Sequence, residues 1–235
     1  MARVFNGVNQ WLRVATCPVV APPFTLACWF RCNNLLLLQD LMCLNSAGRF
    51  ELTAYGTGVG DPLRAYTRGA GASGAYTTSG YTANTWHHGC GVFAATNDRR
   101  CYIDGGSKGV DVGNQNPVGA LTAAIGANFT GGSLLTGAVA EAAIWNVALT
   151  DDEVAALGAG YSPLAVSPAA LVAYWPLGGL YGTNDGDHDV VGAYNMTPQN
   201  APTTLDSPPI IYPISPIAVP WLIAVGNPWY AYAQQ

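Results

Sequence analysis

The chain has 235 residues, half of them apolar and only a tenth charged, with a formal net charge of −5. That length holds one all-β domain or two small ones, and the acidic balance leaves no basic surface of the kind nucleic-acid binding needs. Ordinary globular proteins carry about a quarter charged residues, so either the outward positions are small and neutral or a partner covers much of the outside.

From the N-terminus, Met1-Ala2-Arg3 is followed by no apolar run of signal-peptide length, and Val4-Phe5 already reads as a strand. Synthesis in a reducing cytosol is therefore expected. Short strands with glycine-rich turns follow at Trp11–Val14, Phe24–Arg31, Gln39–Asn45, Phe50–Tyr55, Leu63–Tyr66, Ala75–Thr78, Trp86–Ala95, Arg100–Asp104, Ala123–Gly126, Gly137–Trp145 and Leu171–Trp175. Their number and even spacing predict an antiparallel β-sandwich. In Phe24–Arg31 the even positions (Phe24, Leu26, Cys28, Phe30) share one face and the odd ones the other. Along Trp86–Ala95 the set Trp86, His88, Cys90, Val92 and Ala94 reads as the core face. The six cysteines show no CxxC pair and no metal-ligand spacing, and read as small buried hydrophobes.

One helix is expected. Thr150-Asp151-Asp152-Glu153 has the form of a capping box, with acidic residues at the positive helix start, and glycine at 158 or 160 ends it. Residues 1–202 form the domain in this reading. Residues 203–235 begin with a polar linker and continue as an extended arm, because Pro208, Pro209, Pro213, Pro216, Pro220 and Pro228 forbid both a helix and a central strand. The arm is too broken to cross a membrane. Its side chains Ile210, Tyr212, Ile214, Ile217, Trp221, Ile223, Trp229 and Tyr230 cannot bury one another and call for a protein surface, on the same domain or, preferably, on a neighbouring subunit.

Five segments in this order resemble the concanavalin A-like, laminin-G-like jelly roll: Phe5–Val14; Phe24-Thr25-Leu26-Ala27-Cys28-Trp29-Phe30; Trp86-His87-His88 with Arg100-Cys101-Tyr102-Ile103-Asp104-Gly105; Gly137–Thr150 with the capped helix; and Leu171–Leu177. The resemblance implies the fold. It also implies a range of roles, since relatives bind glycans or calcium, serve as adhesion modules, are built into phage virions, and in some cases hydrolyse glycosidic bonds. In relatives the positions matching Ala138, Ala140 and Ala143 are commonly polar. Their replacement by alanine fits close packing against another subunit.

Hydrolysis would need two carboxyl groups flanking a cleft. Glu51, Glu141 and Glu153 are the only glutamates, and none has a second carboxylate at strand spacing, so a non-enzymatic protein is expected. Asp185, Asp187 and Asp189 alternate in a polar loop, and their hard oxygens make calcium the candidate ion, although no cofactor is required. Tyr76 and Tyr81, in a loop-rich stretch dense with glycine, threonine and serine, are candidate glycan contacts together with His87. His88, pointing the other way, belongs to the core. The first reading is a structural virion component of a phage (a capsid decoration, fibre or capsid-associated protein) made in the host cytoplasm. Its partners would be homo-oligomer subunits or capsid protein, with a host-surface glycan as a further candidate and neither nucleic acid nor membrane insertion. The alternative is a carbohydrate-binding, lectin-like adhesion module.

Overall fold

The computed structural model describes residues 1–45, 48–117, 122–178 and 187–213. Among the described residues fifteen strands follow in order: β1 Ala2–Asn6, β2 Trp11–Val14, β3 Phe24–Cys32, β4 Leu38–Asn45, β5 Arg49–Tyr55, β6 Pro62–Arg68, β7 Ala72–Gly80, β8 His87–Ala95, β9 Asp98–Ile103, β10 Gly106–Asp111, β11 Thr122–Ile125, β12 Thr136–Trp145, β13 Leu171–Trp175, β14 Thr197–Gln199 and β15 Thr203–Leu205. Among the described residues one α-helix, α1 (Asp151–Gly158), and a short 3-10 turn, Pro163–Ala165, lie between β12 and β13. The first sheet runs β10-β9-β8-β3-β12-β1-β15, with β13 also paired to β12, and the second runs β14-β2-β11-β4-β5-β6-β7. Every paired strand is antiparallel, as in a jelly-roll sandwich.

Aromatic side chains fill the space between the sheets. Phe24 meets Phe50 edge-on at 4.9 Å between centroids and stacks on Phe93 at 4.8 Å. The even residues of β3 point into this core as expected. β8 does the opposite of its sequence reading. Phe93 enters the core beside Gly89 and Gly91, whose missing side chains leave room for Leu63, Phe30 and Ala65. Cys90 and Val92 instead face outward, into a second core under α1 with Ala27, Trp145, Tyr174, Val154 and Leu157. The helix makes both faces of β3, β8 and β12 apolar, so alternation alone does not say which face meets the other sheet.

The same covering corrects the assembly face. Ala143 is buried in the second core. Ala138 and Ala140 are buried with Ala2, against Val4, Trp29, Trp86 and Leu205. These alanines are small because indoles of the same domain lie over them, and they offer no surface to another subunit. Thr203–Leu205, read as linker, is an edge strand on β1. Beyond it the chain continues along its own domain: Ile211 N–H donates to Gly160 O at 2.8 Å and Ser162 N–H to Ile211 O at 2.9 Å. Ile210 is half-buried and Tyr212 is partly exposed. Ile214, Ile217, Trp221, Ile223, Trp229 and Tyr230 lie outside the described residues. Among the described residues no helix is long and apolar enough to cross a membrane.

Candidate functional site

The second sheet shows its inner face to the core through Phe50, Leu52, Ala54, Leu63, Ala65 and Ala75. Strand periodicity then sends Arg49, Glu51, Thr53 and Tyr55 of β5, Arg64, Tyr66 and Arg68 of β6, and Tyr76 of β7 to the outer face. At its centre sits a polar cluster. Arg49 Nε lies 2.9 Å from Glu51 Oε1, Arg64 Nη2 lies 3.6 Å from Glu51 Oε2, and Thr53 Oγ1 donates to Asp40 Oδ1 at 3.1 Å. Asp40 and Glu51 are buried. Burial, then the neighbouring Glu51 carboxylate, holds Asp40 well above the usual carboxylate range. Burial also raises Glu51, against the pull of Arg49, Arg64 and Arg68. Burial thus disfavours the charged form of both acids, and the arginines offset this at Glu51.

Sequence reading looked for paired carboxylates along one strand and missed this pair because it is made across β4 and β5, where Asp40 stands opposite Thr53. The pair is closed to substrate. Asp40 is fully buried, its backbone N–H donates to Ser133 O, and the loop holding Phe129 lies over the neighbouring Cys43. Two sequestered carboxylates with no cleft between them do not meet the geometry of glycoside hydrolysis.

Toward β7 the face opens. The Arg64 guanidinium carbon stands 4.8 Å from the Tyr55 ring centre and 4.1 Å from that of Tyr66, a double cation–π clamp. Gly74 makes it fit, since a side chain there would press on Arg64 Cγ and Cδ at 3.3 Å. Tyr55 in turn meets Tyr76 edge-on at 5.5 Å. These two rings, with Gly58–Gly60, Pro62 and Thr77–Gly80, line an open depression of about 330 Å³. Tyr76 is 43% exposed, so it offers a ring face and a hydroxyl to a ligand. The surface combines rigid aromatic rings, hydroxyls and unobstructed backbone around a shallow concavity, which suits stacking and hydrogen bonding to a sugar.

The other candidate residues are placed elsewhere. Tyr81 is buried, edge-on to Phe30. Tyr76 points outward by its register in β7, whereas Tyr81 lies just past the end of that strand at Gly80. His87 donates from Nδ1 to Asp104 Oδ2 at 2.7 Å, while Nε2 accepts the Thr82 amide at 3.1 Å and lies 3.0 Å from Thr82 Oγ1. Both ring nitrogens are thus engaged in tying the β7–β8 connection to β9, and the ring is not a glycan contact. Burial lowers the His88 pKa to about 4, which keeps it neutral in the outer core.

The aspartates expected to hold calcium are used for structure. Arg3 donates to both Asp187 oxygens, at 2.8 and 3.0 Å. Asp189 Oδ1 accepts the amides of Tyr174, Val191 and Gly192, and Oδ2 that of Tyr194. A carboxylate saturated by backbone donors shapes its loop and has little left for an ion. Asp185 lies outside the described residues. Among the described residues no three His, Cys, Asp or Glu side chains gather in a metal-holding group.

Glu141 is a further buried acid. It occupies the bulge of β12 at φ 54°, where the strand changes partner from β1 to β13. Burial raises its pKa to about 7, although the hydroxyls of Tyr174 and Tyr212 both donate to it. Tyr212 belongs to the start of the arm, so this buried carboxylate fastens the arm to the domain.

Comparisons with known proteins agree with this architecture. A family model described as the concanavalin A-like lectin/glucanases superfamily matches residues 6–155. No curated protein matches the sequence. Among solved structures, a Bacteroides ovatus protein described as a candidate carbohydrate binding protein is similar over 89% of this chain and 61% of its own, with TM-score 0.63 and 22% identity. A heptameric SAP-like pentraxin from Limulus polyphemus is similar over 67% of this chain and 81% of its own, at TM-score 0.52 and 14% identity. Domain 4 of AbnA, a GH43 extracellular arabinanase from Geobacillus stearothermophilus, in complex with arabinotriose, is similar over 66% and 71%, at TM-score 0.52 and 16% identity. At these identities the likeness concerns the fold. With the sandwich, its strand order and a family match over most of the chain all in agreement, this protein belongs to the concanavalin A-like lectin/glucanases superfamily.

Proposed function

We propose that the chain is a non-enzymatic carbohydrate-binding module whose ligand rests on Tyr76 and Tyr55 in the depression at the β5–β6–β7 end of the second sheet. The observation that carries this reading is the exposed Tyr76 ring, braced edge-on by Tyr55, which is braced in turn by the buried Arg64. Such a braced ring loses little conformational freedom when a sugar stacks on it. The description of the B. ovatus protein as a candidate carbohydrate binding protein and the arabinotriose complex of the AbnA domain support the reading by analogy of fold. A glycan array probed with the full chain and with Tyr76→Ala tests it. The parent should retain specific glycans and the variant should lose at least about tenfold in affinity, equivalent to about 1.4 kcal/mol. Retention of the same glycans by Tyr76→Ala with unchanged affinity contradicts it.

A second reading is assembly, as in a phage virion, with the arm strapping neighbouring subunits. It is favoured by the apolar composition of residues 214–235 and by Ile211, still half exposed where the chain leaves Gly160–Ser162. The two readings are compatible, because the arm root and the tyrosine face lie on different sheets.

A further inference from the structure

We infer that the glycan held by this face is an acidic one, a polymer bearing carboxylate or sulfate groups, bound along the row Tyr76, Tyr55, Arg64, Tyr66, Arg68 and Arg49. This inference rests on the proposed carbohydrate binding and adds the charge of the ligand. It starts from a disagreement between the whole chain and one face. The protein has a net charge of −5, yet three of its eight arginines, Arg49, Arg64 and Arg68, sit together on two adjacent strands. The acids among them do not balance the three charges. Asp40 is fully buried under the sheet face, with burial raising it well above the usual carboxylate range, and the buried Glu51 lies against Arg49 and Arg64 at 2.9 and 3.6 Å. Asp61, in the β5–β6 turn, does not line the depression.

The register gives a second, independent sign. Arg49 and Arg68 are direct cross-strand partners in β5 and β6. Like charges opposite one another destabilise a sheet. Glu51 is one step away on the same face and lies at 2.9 Å from Arg49, leaving the exposed Arg68 directed at solvent. A pair held at a cost to folding, beside aromatic rings that stack on sugars, suits a ligand that supplies the missing negative charge. From Arg64 to Arg68 the strand rises roughly 13 Å, so the row extends the tyrosine depression into a track for several sugar rings with acid groups over its far end.

The test titrates the full chain with polygalacturonate, dextran sulfate and plain dextran at about 50 and 300 mM salt, with a single-stranded oligonucleotide as a charge control. The expected result is binding to polygalacturonate or dextran sulfate but not to dextran, weakened severalfold by salt. The polymer that binds tells carboxylate from sulfate. Arg68→Gln should weaken that binding roughly two- to fivefold while leaving thermal unfolding unchanged or raised, since it also removes the like-charge pair. Retention of neutral glycans with no salt dependence overturns the acidic ligand and leaves carbohydrate binding standing. Binding to no glycan of either kind overturns both. An oligonucleotide held as tightly as the acidic polymers, or an Arg68→Gln variant that binds them unchanged, overturns the assignment to this face.

Discussion

The buried titratable groups set the pH behaviour of single residues. Glu141, lifted from an ordinary 4.5 to about 7 by burial, contributes its stability in full below about pH 4.5 and loses it as pH rises through 7. His88, lowered from 6.5 to about 4 by burial, works the other way: its contribution is complete above about 6.5 and is lost as pH falls through 4. Each shift corresponds at its limit to roughly 3 kcal/mol. Glu141→Gln removes the charge and keeps an acceptor for one of the two tyrosines, while its NH2 donates to the hydroxyl oxygen of the other. It should leave urea unfolding at pH 5 nearly unchanged and add about 1–3 kcal/mol at pH 8.5, and an equal effect at both pH values would contradict the assignment. Asp40→Asn should behave similarly, because Asn keeps the carbonyl that accepts from Thr53 and burial disfavours the charged acid. Sequence alone showed that these acids were few. It could not show that they were buried, because Glu51 follows the alternation of any outward residue and Glu141 sits at a bulge, covered by Tyr174 and by Tyr212 of the arm.

At the scale of elements, local chemistry made α1 readable and packing hid the rest. The capping box forms as expected, with Thr150 Oγ1 accepting from the Glu153 amide and Glu153 Oε2 accepting from the Thr150 amide. Thr150→Ala should cost about 1 kcal/mol in chemical unfolding and leave glycan binding alone, since α1 lies on the opposite sheet; a loss of binding would mean the two faces are coupled. The strands with alternating apolar residues were visible. β10, β14 and β15 were not, because Gly106–Asp111, Thr197–Gln199 and Thr203–Leu205 are short, polar and at or near the sheet edges, where a partner strand rather than a pattern of burial defines them. The tyrosines divide for the same reason. Tyr55, Tyr66 and Tyr76 share the outer face by strand register, and Tyr81 falls just past the end of β7, where periodicity no longer fixes direction.

For the whole molecule, two sheets and one covering helix explain why so little charge is needed: the first sheet has apolar cover on both sides, and the second concentrates arginines and tyrosines on one open face. The arm root is tied to the domain by the Gly160–Ile211–Ser162 hydrogen bonds and by Tyr212 on Glu141. Deleting residues 213–235 spares these ties. The shortened chain should keep its fold and its glycan affinity, and sedimentation should show a smaller species than the full chain if the arm straps subunits together. The same sedimentation coefficient per mass for both would sink the assembly reading. The central claim is the tyrosine face, and chemical-shift mapping during titration with an oligosaccharide retained on the array tests it most directly. The expected perturbations are confined to Tyr55, Tyr66, Tyr76 and the Thr77–Gly80 amides; perturbations centred on another surface, with these signals unmoved, would contradict it.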